Sequence, residues 1–145
     1  MSDGPLNRQQ LQERLLHSPF NAFLDLEVVS ADPEKQEVII RMKMRPEFER
    51  LTGTGHWHGG PIAAAIDIVG DYALAMMFGN PLPTINLRVD YLRPGKGTLT
   101  LAARIRRSGK TVGVVDVDVL NEAGDLVAIG RANYSTAISA PHWKE

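Results

Sequence analysis

From residue 61 to residue 78 the chain is apolar at almost every position, and Asp67 and Asp71 are its only charges there. Such a run leaves no polar face wide enough to meet solvent, which predicts a buried helix. Pro61 suits the first helical position, where an N–H would go unbonded, and Gly79-Asn80-Pro81 supplies a residue tolerant of positive φ followed by a helix stopper. At ~1.5 Å per residue the 61–78 span is roughly 27 Å long, about the width of a small domain, so the remaining elements are expected to wrap around it.

Those elements follow a different period. Val38, Ile40, Met42 and Met44 alternate with Ile39, Arg41 and Lys43, and Ile85, Leu87, Val89 and Tyr91 alternate with Asn86, Arg88 and Asp90. Leu99, Leu101, Ala103 and Ile105, then Val115, Val117 and Val119, then Leu126, Ala128, Gly130, Ala132 and Tyr134 repeat the pattern. Each reads as a strand with one covered face. Asn121 to Gly124 closes a hairpin between the last two, and Ala31 to Lys35 is a turn. Residues 24–30 read as one more short strand after the apolar stretch at Phe20. Leu6, Leu11, Leu15 and Leu16 at helical spacing predict a short amphipathic helix over 6–16, ending before Ser18-Pro19 and packed on the outside. Residues 47–55 are a polar connection into the long helix, and the tail beyond 137 reads as irregular. One long helix, a short N-terminal helix and about six mostly antiparallel strands make an α+β layer, a curved sheet around the helix.

Composition narrows the function classes. A chain of 145 residues has the size of a single domain, here 1–145 with a core of about 20–137, and no repeat divides it. A formal net charge of −1 carries none of the basic excess that attracts phosphate backbones, so nucleic acid is not expected as a partner. The absence of cysteine excludes disulfides, thiolate metal sites and a Cys nucleophile. The N-terminal residues lack a charged start followed by an apolar run, and outside the central helix nothing approaches membrane-spanning length, so a cytoplasmic protein with no membrane partner is the expectation.

The candidate chemistry sits at the start of the long helix. Gly59 and Gly60 stand immediately before it and offer no side chain to shield the first backbone N–H groups, which face outward with the positive end of the macrodipole. His58 stands beside this ready oxyanion site. Asp67 lies nine residues on, in a segment where removing a charge from water costs several kcal/mol, roughly, unless the carboxylate is paired or functional. A buried ion pair or a hydrogen bond to a backbone group is its structural alternative. Asp71, one turn further, is either a second member of the site or a hydrogen-bonding group of the core or of an interface. The charges Arg88, Asp90, Arg104 and Arg106 read as the solvated side of the sheet. His56 and His58 with either Asp imitate a metal site only loosely, and no metal is assigned.

In this order, His58-Gly59-Gly60, a small and apolar helix with Asp67 at that spacing, and the strand Pro83 to Pro94 resemble the signature of the hotdog-fold thioesterases of the phenylacetate-pathway (PaaI-like) type. The turn Arg107 to Thr111 and the closing hairpin agree, so the resemblance covers roughly 20–137. It implies the hotdog fold and hydrolysis of an acyl-CoA thioester to acid and coenzyme A, with no cofactor. By the same resemblance the Gly59 and Gly60 N–H groups hold the oxyanion and His58 orients the carbonyl, while Asp67 acts as general base for water or as a nucleophile. Thr84 matches the Ser or Thr that assists from the next strand. Thr52 stands where many relatives carry an Asn or Gln six positions before the signature His; threonine can also donate and accept. Arg93 and the turn Gly109-Lys110-Thr111 match places where the family meets the phosphates of coenzyme A. Relatives build each site from two subunits, so a homodimer or homotetramer with interfacial sites is implied. A non-catalytic acyl-CoA-binding hotdog domain, or less closely a hotdog hydratase or dehydratase, is the alternative.

Overall fold

A computed structural model describes residues 4–137 of the chain. The expectations for residues 138–145, including the irregular tail, and for Met1 to Asp3 lie outside the described residues. Ten elements follow one another: helices α1 (Arg8–Leu16) and α2 (Pro19–Leu24), strands β1 (Glu27–Asp32) and β2 (Glu37–Met42), a short 3₁₀ turn Pro46–Phe48, the long helix α3 (Gly59–Phe78), and strands β3 (Thr84–Tyr91), β4 (Leu99–Ser108), β5 (Val112–Leu120) and β6 (Leu126–Ser135). The strands form one antiparallel sheet in the order β1-β2-β4-β5-β6-β3, and α3 packs across β2 to β6. This is the expected hotdog arrangement of a curved six-stranded sheet around a central helix.

Alternation explains the packing. Val38, Ile40 and Met42 of β2, Leu99, Leu101 and Ala103 of β4, and Val115, Val117 and Val119 of β5 turn inward and are buried against Ile62, Ala65, Ile66, Val69, Ala73 and Leu74 of α3. Gly130 of β6 is where the sheet comes nearest the helix; a Cβ there would lie 2.5 Å from Ile66 Cγ2. Gly79, with φ of 89°, ends α3 as its neighbours foretold. Asn121 closes the β5–β6 hairpin by accepting from the N–H groups of Ala123 and Asp125 with its side-chain oxygen.

Four local expectations are corrected. Gly59 and Gly60 lie inside α3 as its first two residues, because His58 provides the N-cap. Residues 19–24 are helical, and the strand begins at Glu27: Ser18 caps the Asn21 N–H and Pro19 takes the first position, so Ser-Pro starts a helix as well as ending the one before it. The helix α3 is not covered all round, since Ala63, Ala64, Asp67 and Ile68 along one side remain half-exposed. Finally, β3 does not alternate strictly. Thr84 pairs with Tyr134 and Asn86 with Asn133, so Ile85 is an extra residue, bulged out of the ladder and 54% exposed. The bulge flips the parity, and Thr84 shares the inward face with Leu87, Val89 and Tyr91. β3 is also the edge of the sheet beside that half-exposed helix face.

Candidate active site

The segment leading into α3 is held on three sides. The Trp57 N–H donates to the Gly95 carbonyl (3.0 Å) and its indole N–H to the Gly97 carbonyl (2.7 Å), while its ring stacks on Phe48 at 5.5 Å. The His58 N–H donates to the Phe48 carbonyl (2.8 Å). Phe48 is itself covered by the Arg45 guanidinium at 4.4 Å. His58 thus enters the helix from a rigid support.

There the Gly60 N–H donates to His58 Nδ1 at 2.9 Å. The first turn of a helix has N–H groups with no partner inside the helix, and this side chain takes one of them. Accepting at Nδ1 selects the neutral tautomer with its proton on Nε2. Of the two glycine donors expected to face an oxyanion, Gly60 is therefore engaged, and the Gly59 N–H has no acceptor among the described residues. The Tyr91 hydroxyl donates to the Gly59 carbonyl (2.6 Å), and a Cβ on Gly59 would come within 3.2 Å of that ring and its oxygen. Partial burial raises the Tyr91 pKa.

Asp67 lies eight residues along α3, about 12 Å along the axis at ~1.5 Å per residue. Its Oδ1 accepts from the Thr84 hydroxyl at 2.8 Å, and its backbone carbonyl accepts from the fully buried Tyr134 hydroxyl at 2.6 Å. Thr84 and Tyr134 are cross-strand partners, so one rung of the sheet grips both the carboxylate and the main chain of Asp67. Burial, and the nearby Asp67 and Asp71, push the Tyr134 pKa upward. Gly70 makes room for that hydroxyl, since a Cβ would sit 2.4 Å from it. Asp71, one turn beyond, accepts from the Leu82 N–H at 2.6 Å. Its carboxyl is enclosed, and burial pushes its pKa up to about 8, with a smaller contribution from Asp67. Asp71 is thus a core hydrogen-bonding group that ties the approach to β3 onto the helix.

The expected site residues fall into two groups at opposite ends of the sheet. Tyr91, against Gly59, pairs with Ala128, and the Arg93 N–H donates to Val127 (3.2 Å). The exposed Arg93 side chain lies 3.7 Å from Asp125. Thr84, against Asp67, pairs with Tyr134, and the Thr136 N–H donates to the Thr111 carbonyl (3.0 Å). The Thr136 hydroxyl donates to the Gly109 carbonyl at 2.6 Å, fixing the Gly109-Lys110-Thr111 turn at that end, with Lys110 exposed. From Ala128 to Tyr134 along β6 is about 20 Å at ~3.3 Å per residue. His58, Gly59 and Arg93 mark one end; Asp67, Thr84 and Lys110 mark the other. Thr52 stands exposed in the loop that Arg50 closes by donating its N–H to the His56 carbonyl (2.8 Å), and makes no hydrogen bond to either group among the described residues. Sequence reasoning gave no site role to Tyr91 or Tyr134, which read as ordinary inward-facing strand positions. The signal available was a phenol on each inward face opposite a glycine of the helix.

The sequence profile described as the thioesterase superfamily matches residues 54–128. The chain belongs to the thioesterase superfamily. Among relatives of this thioesterase-superfamily protein, the medium/long-chain acyl-CoA thioesterase YigI of Escherichia coli K12 is 32% identical over 142 residues, covering 81% of this chain and 85% of its own. Human acyl-coenzyme A thioesterase 13 is 34% identical over 108 residues, covering 72% of this chain and 74% of its own. The solved structure of the Escherichia coli PaaI protein from the phenylacetic acid degradation operon matches with a TM-score of 0.72 at 23% identity, over 90% of this chain and 95% of that one, a likeness of fold.

Proposed function

We propose that this thioesterase-superfamily protein hydrolyses an acyl-CoA to the free acid and coenzyme A in sites that two copies of the chain complete. What carries the reading is the division of the site residues. A carbonyl oxygen must lie about 3 Å from its donor and the attacked carbon about 3 to 3.5 Å from the attacking oxygen, whereas Gly59 and Asp67 of one chain are about 12 Å apart. A second copy related by a two-fold axis beside β3 brings the Gly59 end of one chain against the Asp67 end of the other. The unpaired edge of β3, the exposed Ile85, Tyr91 and Leu92, and the half-exposed side of α3 support that face as the contact.

In such a site the thioester oxygen takes the Gly59 N–H, with the His58 Nε2–H beside it. Asp67 of the other copy, steadied by Thr84, removes a proton from water as the oxygen adds to the carbonyl carbon, or adds itself to form a mixed anhydride that water then opens. Either way the tetrahedral oxyanion collapses with cleavage of the C–S bond, and the thiolate leaves as coenzyme A. Relatives named as acyl-CoA thioesterases support the substrate class. Arg93 and the Gly109-Lys110-Thr111 turn, brought together from two chains, are positioned to take the phosphates of coenzyme A.

Thiol release from a panel of acyl-CoAs tests the activity, and mixing variants tests the shared site. Asp67→Asn and His58→Ala proteins, each inactive alone, should recover about a quarter of wild-type activity after subunit exchange, since half the dimers then hold one intact site of two. No thiol release with any acyl-CoA would leave acyl-CoA binding without turnover as the function, and no recovery on mixing would mean that each site lies within one chain.

A further inference from the structure

The peptide unit joining Gly59 to Gly60 is held at both ends. Its carbonyl accepts from the Tyr91 hydroxyl at 2.6 Å, and its N–H donates to His58 Nδ1 at 2.9 Å. Two hydrogen bonds in line through one amide polarise each other: a donor on the carbonyl makes the N–H of the same amide a stronger donor. That N–H occupies the lone pair of Nδ1, which keeps the imidazole in one tautomer and leaves Nε2–H to face outward. The Gly59 N–H belongs to the preceding peptide and shares the Gly59 Cα with this clamped unit, so its direction follows from the clamp.

From this geometry we infer that Tyr91 is a positioning residue for the oxyanion site, acting through the Gly59–Gly60 peptide on the direction of the Gly59 N–H and on the tautomer of His58. This deepens the thioesterase reading and rests on it for the catalytic consequence. The packing is specific to the pair of residues. The Tyr91 ring lies so close to the Cα of Gly59 that a Cβ there would come within 3.2 Å of both Cζ and the hydroxyl oxygen, so any side chain at 59 pushes the phenol off the carbonyl. Tyr91 is also the last residue of the edge strand β3 and 52% exposed. A hydroxyl at this place contributes little to the core, and the ring alone suffices to cover the glycine. The hydroxyl is therefore separable from the fold, which makes its role measurable.

Tyr91→Phe keeps the ring and removes only the donor. In ¹⁵N-labelled protein the variant should show an upfield shift of the Gly60 amide proton and His58 ring nitrogens moved from the values of a single Nε2–H tautomer toward a mixture, with the remaining amide spectrum largely unchanged. Steady-state kinetics on the best acyl-CoA should show kcat lowered roughly three- to tenfold, the scale of one hydrogen bond, with KM within about twofold of wild type. Tyr91→Leu, which removes the ring as well, should lose no less. Unchanged Gly60 and His58 resonances in Tyr91→Phe would overturn the clamp whatever the activity, and shifted resonances with an unaltered kcat would overturn its role in positioning for catalysis. A wild-type protein that hydrolyses no acyl-CoA while its Gly60 and His58 signals respond to Tyr91→Phe would instead sink the thioesterase reading and leave the clamp standing.

Discussion

Replacing Asp71 by Asn should remove most of the pH dependence of stability that this fold carries between weakly acidic and neutral pH. Burial holds the Asp71 carboxyl at a pKa of about 8 against 3.8 when free. Between those values the native state keeps a proton that the unfolded chain has released, so the contribution of this carboxyl to stability is fully present below about pH 4, falls as pH rises through the window, and is lost above about pH 8. At 1.36 kcal/mol per pH unit the whole window from 3.8 to about 8 amounts to a ceiling of about 6 kcal/mol, which relaxation around the carboxyl reduces. Asn keeps the volume and an oxygen to accept from the Leu82 N–H, but has nothing to titrate. Urea midpoints of wild type and Asp71→Asn at pH 5, 6, 7 and 8 provide the assay. The variant should gain on the wild type by up to about 1 kcal/mol for each pH unit over the lower part of this range, with equal m-values. Parallel curves for the two proteins would refute the reasoning, for the carboxyl would then ionise in the folded protein as it does in water.

Three further outcomes are expected. Asp67→Asn should lower kcat by a factor on the order of 10² to 10⁴ with little change in melting temperature; near-normal turnover in a stable protein would place the acid elsewhere. Gly70→Ala should destabilise by about 2 kcal/mol or more because its Cβ meets the Tyr134 hydroxyl at 2.4 Å, and Tyr134→Phe in the same chain should relieve part of that loss, so a strictly additive double-mutant cycle would contradict the packing. Arg93→Ala and Lys110→Ala should raise KM, more at low salt than at high, and leave kcat alone, because such contacts to phosphate are made equally in ground and transition states; KM values insensitive to both changes would remove these residues from coenzyme A binding.

Periodicity and end signals along the chain determined α3, the inward-facing rows of β2, β4, β5 and β6, the hairpin at Asn121 to Gly124, and the presence of a carboxylate at 67 in an otherwise apolar helix. These properties are local: they follow from how side chains repeat along a helix or a strand and from which residues tolerate a helix end. Ser18-Pro19 was legible too, but it ends one helix and starts another with the same residues, and only packing decides which reading extends to Leu24. Tertiary structure decided the rest of the site. The bulge at Ile85 exists because β3 must match β6, and it alone turns Thr84 toward Asp67. Whether Asp71 holds its proton depends on what surrounds it, and whether the Gly60 N–H is open depends on a side-chain rotamer of His58. The separation of Gly59 from Asp67 within one chain arises from the rise of the helix, which sets them beside opposite ends of β3. Spacing in sequence shows that the two residues share a helix; distance in space shows that one chain does not bring them to one carbonyl.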